Sequence, residues 1–120
     1  MIKVYQYSKC DTCRKALKFL NAKGVEYQCL PIVEQPPSKA ELRQMLAFLK
    51  AGGGGIKNLF NTSGVQYREL NISDKFKAGM SESEAIDLLS GNGKLIKRPF
   101  LLTGSDGRVG FKPEEWRKLI

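Results

Sequence analysis

The sequence contains no histidine. That absence removes serine and cysteine nucleophiles activated by an imidazole, zinc hydrolysis through HExxH and every zinc finger with histidine ligands. Only three cysteines are present, Cys10, Cys13 and Cys29. They are too few for a zinc site of four thiolates, and their odd number suits a disulfide scaffold poorly. No stretch approaches the roughly 18 consecutive apolar residues of a membrane span, and the N-terminus lacks the continuous apolar segment of a secretory signal. The expectation is a cytoplasmic protein with no membrane association and no bound metal or cofactor. In a reducing compartment its thiols would serve redox or nucleophilic chemistry.

What is present points to one domain. A chain of 120 residues with 42% hydrophobic content can bury one core and is too short for two ordinary domains. Twenty Lys and Arg against twelve Asp and Glu leave a net charge of +8. Such a balance attracts anionic substrates, acidic protein partners or nucleic acid. The basic residues are spread along the chain without a base-reading motif, so direct nucleic-acid binding is not expected.

Residues 2 to 7 alternate apolar and polar side chains, as a strand should. After Ser8-Lys9-Cys10-Asp11-Thr12-Cys13, the residues Cys13, Ala16, Leu17 and Leu20 trace the stripe of an amphipathic helix that stops at Lys23-Gly24. Val25, Tyr27 and Cys29 alternate in a second strand closed by Pro31, so the opening reads as a βαβ unit. Ser38 with Glu41, and Ser81 with Glu84, are capping boxes ahead of two further helices, the second stopping at Gly91. A helical insertion is expected over about 38–92. Residues 100 to 103 and 108 to 111 flank Gly104-Ser105-Asp106-Gly107 as a hairpin, and Pro113 opens a last helix with acidic residues first and basic residues last. The order is that of a thioredoxin or glutaredoxin-like α/β fold with a helical insertion between its βαβ and ββα halves.

The chemistry is expected at Cys10 and Cys13. A thiolate is the nucleophile, and an ordinary cysteine with a pKa of about 8.5 is mostly protonated at neutral pH. Cys10 stands where the first helix begins, so unpaired N–H groups and the helix dipole favour its anion, with Lys9, Arg14 and Lys15 adding positive charge. Asp11 and Thr12 supply backbone donors, and Thr12 is expected to cap the helix. A two-residue spacer allows a disulfide, and Cys13 lies on the core-facing stripe. Cys10 is therefore expected to attack and Cys13 to resolve the resulting mixed disulfide. Cys29, on the apolar face of the second strand, reads as a small core residue.

Arg98-Pro99 ahead of an apolar strand is the other candidate element. Proline restricts Arg98 to extended geometry and can leave its backbone groups exposed beside the cysteines. Arg98 would be the cation nearest them, suited to an oxyanion or an acidic sulfur-bearing substrate. With Lys9, Asp11, Thr12, Arg14 and Pro99 as candidate substrate-binding residues, the expected function is thiol-disulfide exchange.

Cys10-x-x-Cys13, Val33-Glu34-Gln35-Pro36-Pro37-Ser38, Phe60-Asn61-Thr62-Ser63-Gly64, Tyr67-Arg68-Glu69-Leu70, Leu95-Ile96-Lys97-Arg98-Pro99 and Val109-Gly110-Phe111, in this order, resemble the ArsC/Spx/MgsR family over essentially the whole length. The resemblance implies a thioredoxin-like fold and, at the place of Pro99, the cis-proline known from such proteins. Glutaredoxin-linked arsenate reductases of the family use one cysteine, matching Cys10, and three arginines around the oxyanion. Arg98 matches one of these; Asn61 and Lys112 stand where the other two would be. For an oxidoreductase the resemblance implies glutathione as co-substrate and glutathione, a glutaredoxin or a thioredoxin as partner. For a regulator of Spx type it implies the C-terminal domain of the RNA polymerase α subunit. The sequence ends at Ile120, short of the longer tail of those regulators, which places it nearest the short arsenate reductase-like members.

Overall fold

The computed structural model describes residues 2–120. Its first half is β1 (Ile2–Gln6), α1 (Asp11–Lys23) and β2 (Tyr27–Pro31); its last part is β3 (Phe100–Leu102), β4 (Gly107–Val109) and α6 (Pro113–Leu119). Between them lie α2 (Lys39–Ala51), α3 (Val65–Glu69), α4 (Ile72–Lys77) and α5 (Glu82–Gly91). The strands form one sheet in the order β2-β1-β3-β4, with β1 parallel to β2 and the other pairs antiparallel. No helix among the described residues is long and apolar enough to cross a membrane.

β1 is central, and both of its faces are covered. Val4 is wholly buried with Ala16, Leu20, Leu101 and Trp116 under α1 and α6, whereas Tyr5 enters a larger core with Leu42, Met45, Phe60, Leu89 and Phe100 beneath the inserted helices. Two-sided cover of a central strand explains why consecutive residues are both buried. The cover over the edge strand β2 is only partial, with Tyr27 and Leu30 half-buried against the two cores. Cys29, paired in register with Val4, is exposed rather than a core residue, because an edge strand lacks the second neighbour and the helix that enclose Val4. Pro31 is the last residue of β2 and lies where an edge strand tolerates a missing donor.

Helix ends follow local chemistry. Gly24 closes α1 in the left-handed conformation at φ 69°. Ser38 and Glu41 form a reciprocal capping box at α2, as do Ser81 and Glu84 at α5. Gly91 is the final residue of α5, and Asn92 stands at its C-terminal boundary.

Glu41 does more than cap. Its carboxylate accepts the Tyr5 hydroxyl at 2.7 Å and the Lys3 ammonium at 2.9 Å, tying β1 to α2. Burial alone would raise its pKa, but the hydrogen bonds from Lys3, Tyr5 and the Ser38 N–H outweigh it and hold the carboxyl below its ordinary 4.5. Because the folded value is the lower one, this stabilisation is complete above the unfolded glutamate's pKa and is lost as pH falls through the folded value. Glu41→Ala is expected to cost about 2–3 kcal/mol at neutral pH, since it strands the Tyr5 hydroxyl and removes a cap. Urea unfolding at pH 7 and pH 3 checks this, and the deficit should shrink at the lower pH.

Candidate active site

Cys10 is itself the N-cap of α1. Its backbone is extended (φ −104°, ψ 117°), its sulfur accepts the Cys13 N–H at 3.4 Å, and its carbonyl accepts the Arg14 N–H at 3.1 Å. Thr12 therefore does not cap the helix but lies exposed inside its first turn; a sulfur has taken the place that a hydroxyl usually fills. The Cys10 N–H in turn donates to the Tyr7 carbonyl at 3.0 Å, which fixes the loop between β1 and α1. Cys10 is half-buried, and Cys13, one turn on, has no exposed surface.

This placement separates the two thiols. For Cys10, burial favours the neutral form, but the Cys13 thiol and N–H and the nearby Arg98 guanidinium outweigh it and hold the pKa below that of an ordinary thiol. For Cys13, burial pushes the thiol up to about 12; the Tyr7 N–H opposes the rise, and the charge on Cys10 adds to it. The Cys10 sulfur is thus the more readily ionised of the two, while the one behind it keeps its proton at neutral pH.

Arg98 reaches this position from the segment before β3. The Arg98–Pro99 peptide bond is cis, Pro99 is buried, and its carbonyl accepts the Gly110 N–H at 2.9 Å. The Arg98 guanidinium lies 4.7 Å from the centroid of the Tyr7 ring.

Cys10 opens into a cleft of about 930 Å³. Thr12 and Arg98 flank it, and Phe48, Leu49 and the glycine turn after α2 make one wall. Asn58 and Asn61 lie on the connection after that turn, and Asp106, residues 108–112 and Glu115 add to the lining. Asn61 and Lys112, the residues matching the arginine positions of the arsenate reductases, both reach this cleft. Of the other candidates, Lys9, Asp11 and Arg14 are exposed outside the cleft wall, with Asp11 and Arg14 paired to each other, and Pro99 is buried and does not line the cleft.

Sequence reasoning passed over Arg108 and Asn58, and named Lys97 only as the neighbour of Arg98. Arg108 bonds Asp106 at 2.8 Å and Glu115 at 3.2 Å, pinning the hairpin to α6 along the cleft. A cation between two acids on neighbouring elements was the available signal. Lys97, Arg98 and Lys112 have no carboxylate within 4 Å among the described residues, so they leave the cleft electropositive. Asn58 turns its side-chain oxygen to the Gly55 N–H at 2.8 Å and so shapes the glycine turn. Among the described residues no three His, Cys, Asp or Glu gather as metal ligands.

A half-buried cysteine at a helix start, backed by a second cysteine and neighboured by an arginine, occurs here in a chain that the family model for ArsC matches over residues 5–119. The chain belongs to the ArsC family. It is 46% identical over 114 residues to YusI, an uncharacterised protein of Bacillus subtilis, covering 95% of this chain and 93% of that one. A solved ArsC family related protein from Bacteroides fragilis superposes with a TM-score of 0.90 at 44% identity, covering 99% of this chain and 97% of the other. The global transcriptional regulator Spx of Streptococcus mutans is 29% identical over 121 residues, covering all of this chain and 83% of the regulator. The ArsC-family fold seen here is the thioredoxin-like α/β arrangement, with α2 to α5 inserted between β2 and β3.

Proposed function

We propose that this ArsC-family protein is a thiol-disulfide oxidoreductase in which Cys10 attacks and Cys13 resolves. The observation that carries the reading is the pair itself: a half-buried Cys10 with its pKa lowered at the mouth of an electropositive cleft, and a protonated Cys13 one turn behind it. The Cys10 thiolate attacks one sulfur of a substrate disulfide, forming a mixed disulfide and expelling the other sulfur as a thiolate. Cys13 then gives up its proton, attacks the Cys10 sulfur and releases the second half of the substrate. Two electrons have passed to the substrate, leaving a Cys10–Cys13 disulfide. Two glutathione thiols, or a glutaredoxin or thioredoxin dithiol, restore the pair, a cycle suited to the cytoplasm.

The cleft is far larger than a tetrahedral oxyanion requires, and Asn61 offers an amide where the arsenate reductases have a charged guanidinium. Lys97, Arg98 and Lys112 instead suit a carboxylate-bearing disulfide such as glutathione's. The test is turnover of a glutathione mixed disulfide with reduced glutathione as donor. Sustained turnover is expected, with a rate that rises with pH through a value below that of an ordinary cysteine, because the thiolate is the reacting form. Absence of turnover, or a rise only near the pKa of a free thiol, would defeat the proposal.

Similarity to Spx over the whole chain favours one second reading, a redox-sensing regulator that touches the RNA polymerase α subunit. Binding of the α C-terminal domain in one redox state but not the other would establish it.

A further inference from the structure

We propose that the Tyr7 ring is a positioning residue: its face holds the Arg98 guanidinium beside Cys10. Arg98 is a long side chain with several rotatable bonds, and ordering such a chain costs entropy that some contact must offset. Among the described residues no carboxylate lies within 4 Å of it, and its hydrogen bond to the Lys94 carbonyl is long at 3.5 Å. Apart from Cys10 itself, the close contact is the Tyr7 ring, 4.7 Å from the guanidinium carbon to the ring centroid, well inside the range of a cation–π interaction.

The ring is itself held. Tyr7 packs against the larger core, so its face is not free to turn away. Its backbone serves both cysteines as well: its carbonyl accepts the Cys10 N–H at 3.0 Å, and its N–H favours the charged form of Cys13. One residue thus fixes the loop that carries the nucleophile and the cation that faces it. The remaining charged groups nearby do not compete for this role. Lys9 points to solvent, and Asp11 and Arg14 satisfy each other.

The proposal rests on Cys10 as the nucleophile, but its readout is thiol ionisation, measurable whether or not the chain turns over a disulfide. Alkylation of Cys10 is followed by peptide-resolved mass spectrometry across pH in Tyr7→Phe, Tyr7→Leu, Arg98→Ala and the Tyr7→Leu/Arg98→Ala double variant. Tyr7→Phe keeps the ring face and should leave the profile in place. Tyr7→Leu should slow alkylation at neutral pH by roughly threefold or more and move the profile to higher pH. Arg98→Ala should do at least as much, and the double variant should match Arg98→Ala alone, since the ring acts through the guanidinium. An unchanged profile in Tyr7→Leu, a Tyr7→Phe profile shifted as far as that of Tyr7→Leu, or additive shifts in the double variant would each overturn the proposal. If Tyr7→Leu does not fold, pentafluorophenylalanine at position 7 keeps the shape while reversing the charge of the ring face. It should produce the same shift, and an unaltered profile would refute the assignment.

Discussion

Cys10→Ser is expected to remove disulfide reduction almost entirely, by at least about a thousandfold, the order of loss that follows deletion of a covalent nucleophile. A serine at this N-cap still accepts the Cys13 N–H, and hydroxyls cap helices well, so stability should hold or rise slightly. What disappears is the ionisable sulfur. The helix start, the Cys13 groups and Arg98 can favour a thiolate whose pKa begins near neutrality, but they cannot ionise a hydroxyl there. Activity and urea unfolding measured on the same preparation separate the two effects. Retention of more than about a tenth of the activity by a fully folded Cys10→Ser would show that another group performs the attack.

The second large effect concerns Gly93, on the short turn between α5 and the Arg98 segment. A Cβ added there would lie 1.9 Å from the Ile32 carbonyl oxygen and 2.9 Å from the Val33 Cα, both backbone atoms that no rotamer change can move. Relief requires displacing either the chain that leaves β2 or the residues that follow Gly93. Those residues are anchored: the Leu95 carbonyl accepts the Asn61 N–H at 2.7 Å, the Lys97 N–H donates to Leu59 at 2.8 Å, and Leu95 and Ile96 are wholly buried. Gly93→Ala should therefore cost about 3 kcal/mol or more, the upper range for overpacking a core. Gly91→Ala, two residues away at the end of α5, meets nothing within 4 Å and should be neutral or stabilising by up to about 1 kcal/mol. Equal urea midpoints for the two variants would contradict the packing described here. In Gly93→Ala the Cys10 alkylation profile should also change, because Arg98 hangs from the displaced segment.

The parts of the fold that could be read from sequence are those fixed by neighbours in the chain. Ser38 with Glu41, Ser81 with Glu84, and Gly24 mark helix ends because capping is settled within four residues, and the hairpin is local in the same sense, though its turn spans 103–106 and Gly107 already belongs to β4. The exposure of Cys29 was misjudged because alternation says which residues share a face, whereas cover depends on strand order, and β2 is an edge. Thr12 looked like the cap because hydroxyls usually are; the extended backbone belongs to Cys10. The cleft was legible only in its first and last elements. Cys10 and Arg98 stand out by residue type and context, but Asn58 on the connection after α2 and Arg108 on β4 reach the cleft through packing between elements distant in sequence. Lys9 and Arg14, adjacent in sequence to the cysteines, lie outside the cleft wall, since proximity along a helix start does not fix direction.

The central claim is that Cys10 attacks and Cys13 resolves, and intact-mass analysis after oxidation with glutathione disulfide tests it most directly. With Cys29 replaced by serine throughout, Cys13→Ser should accumulate one glutathione, mapped to Cys10 and stable until reductant is added. The unaltered pair should pass through that adduct and end as an internal Cys10–Cys13 disulfide two hydrogen atoms lighter, with no glutathione on either sulfur. Glutathione found first on Cys13, or a glutathionylated Cys10 that persists while Cys13 is intact, would contradict the account.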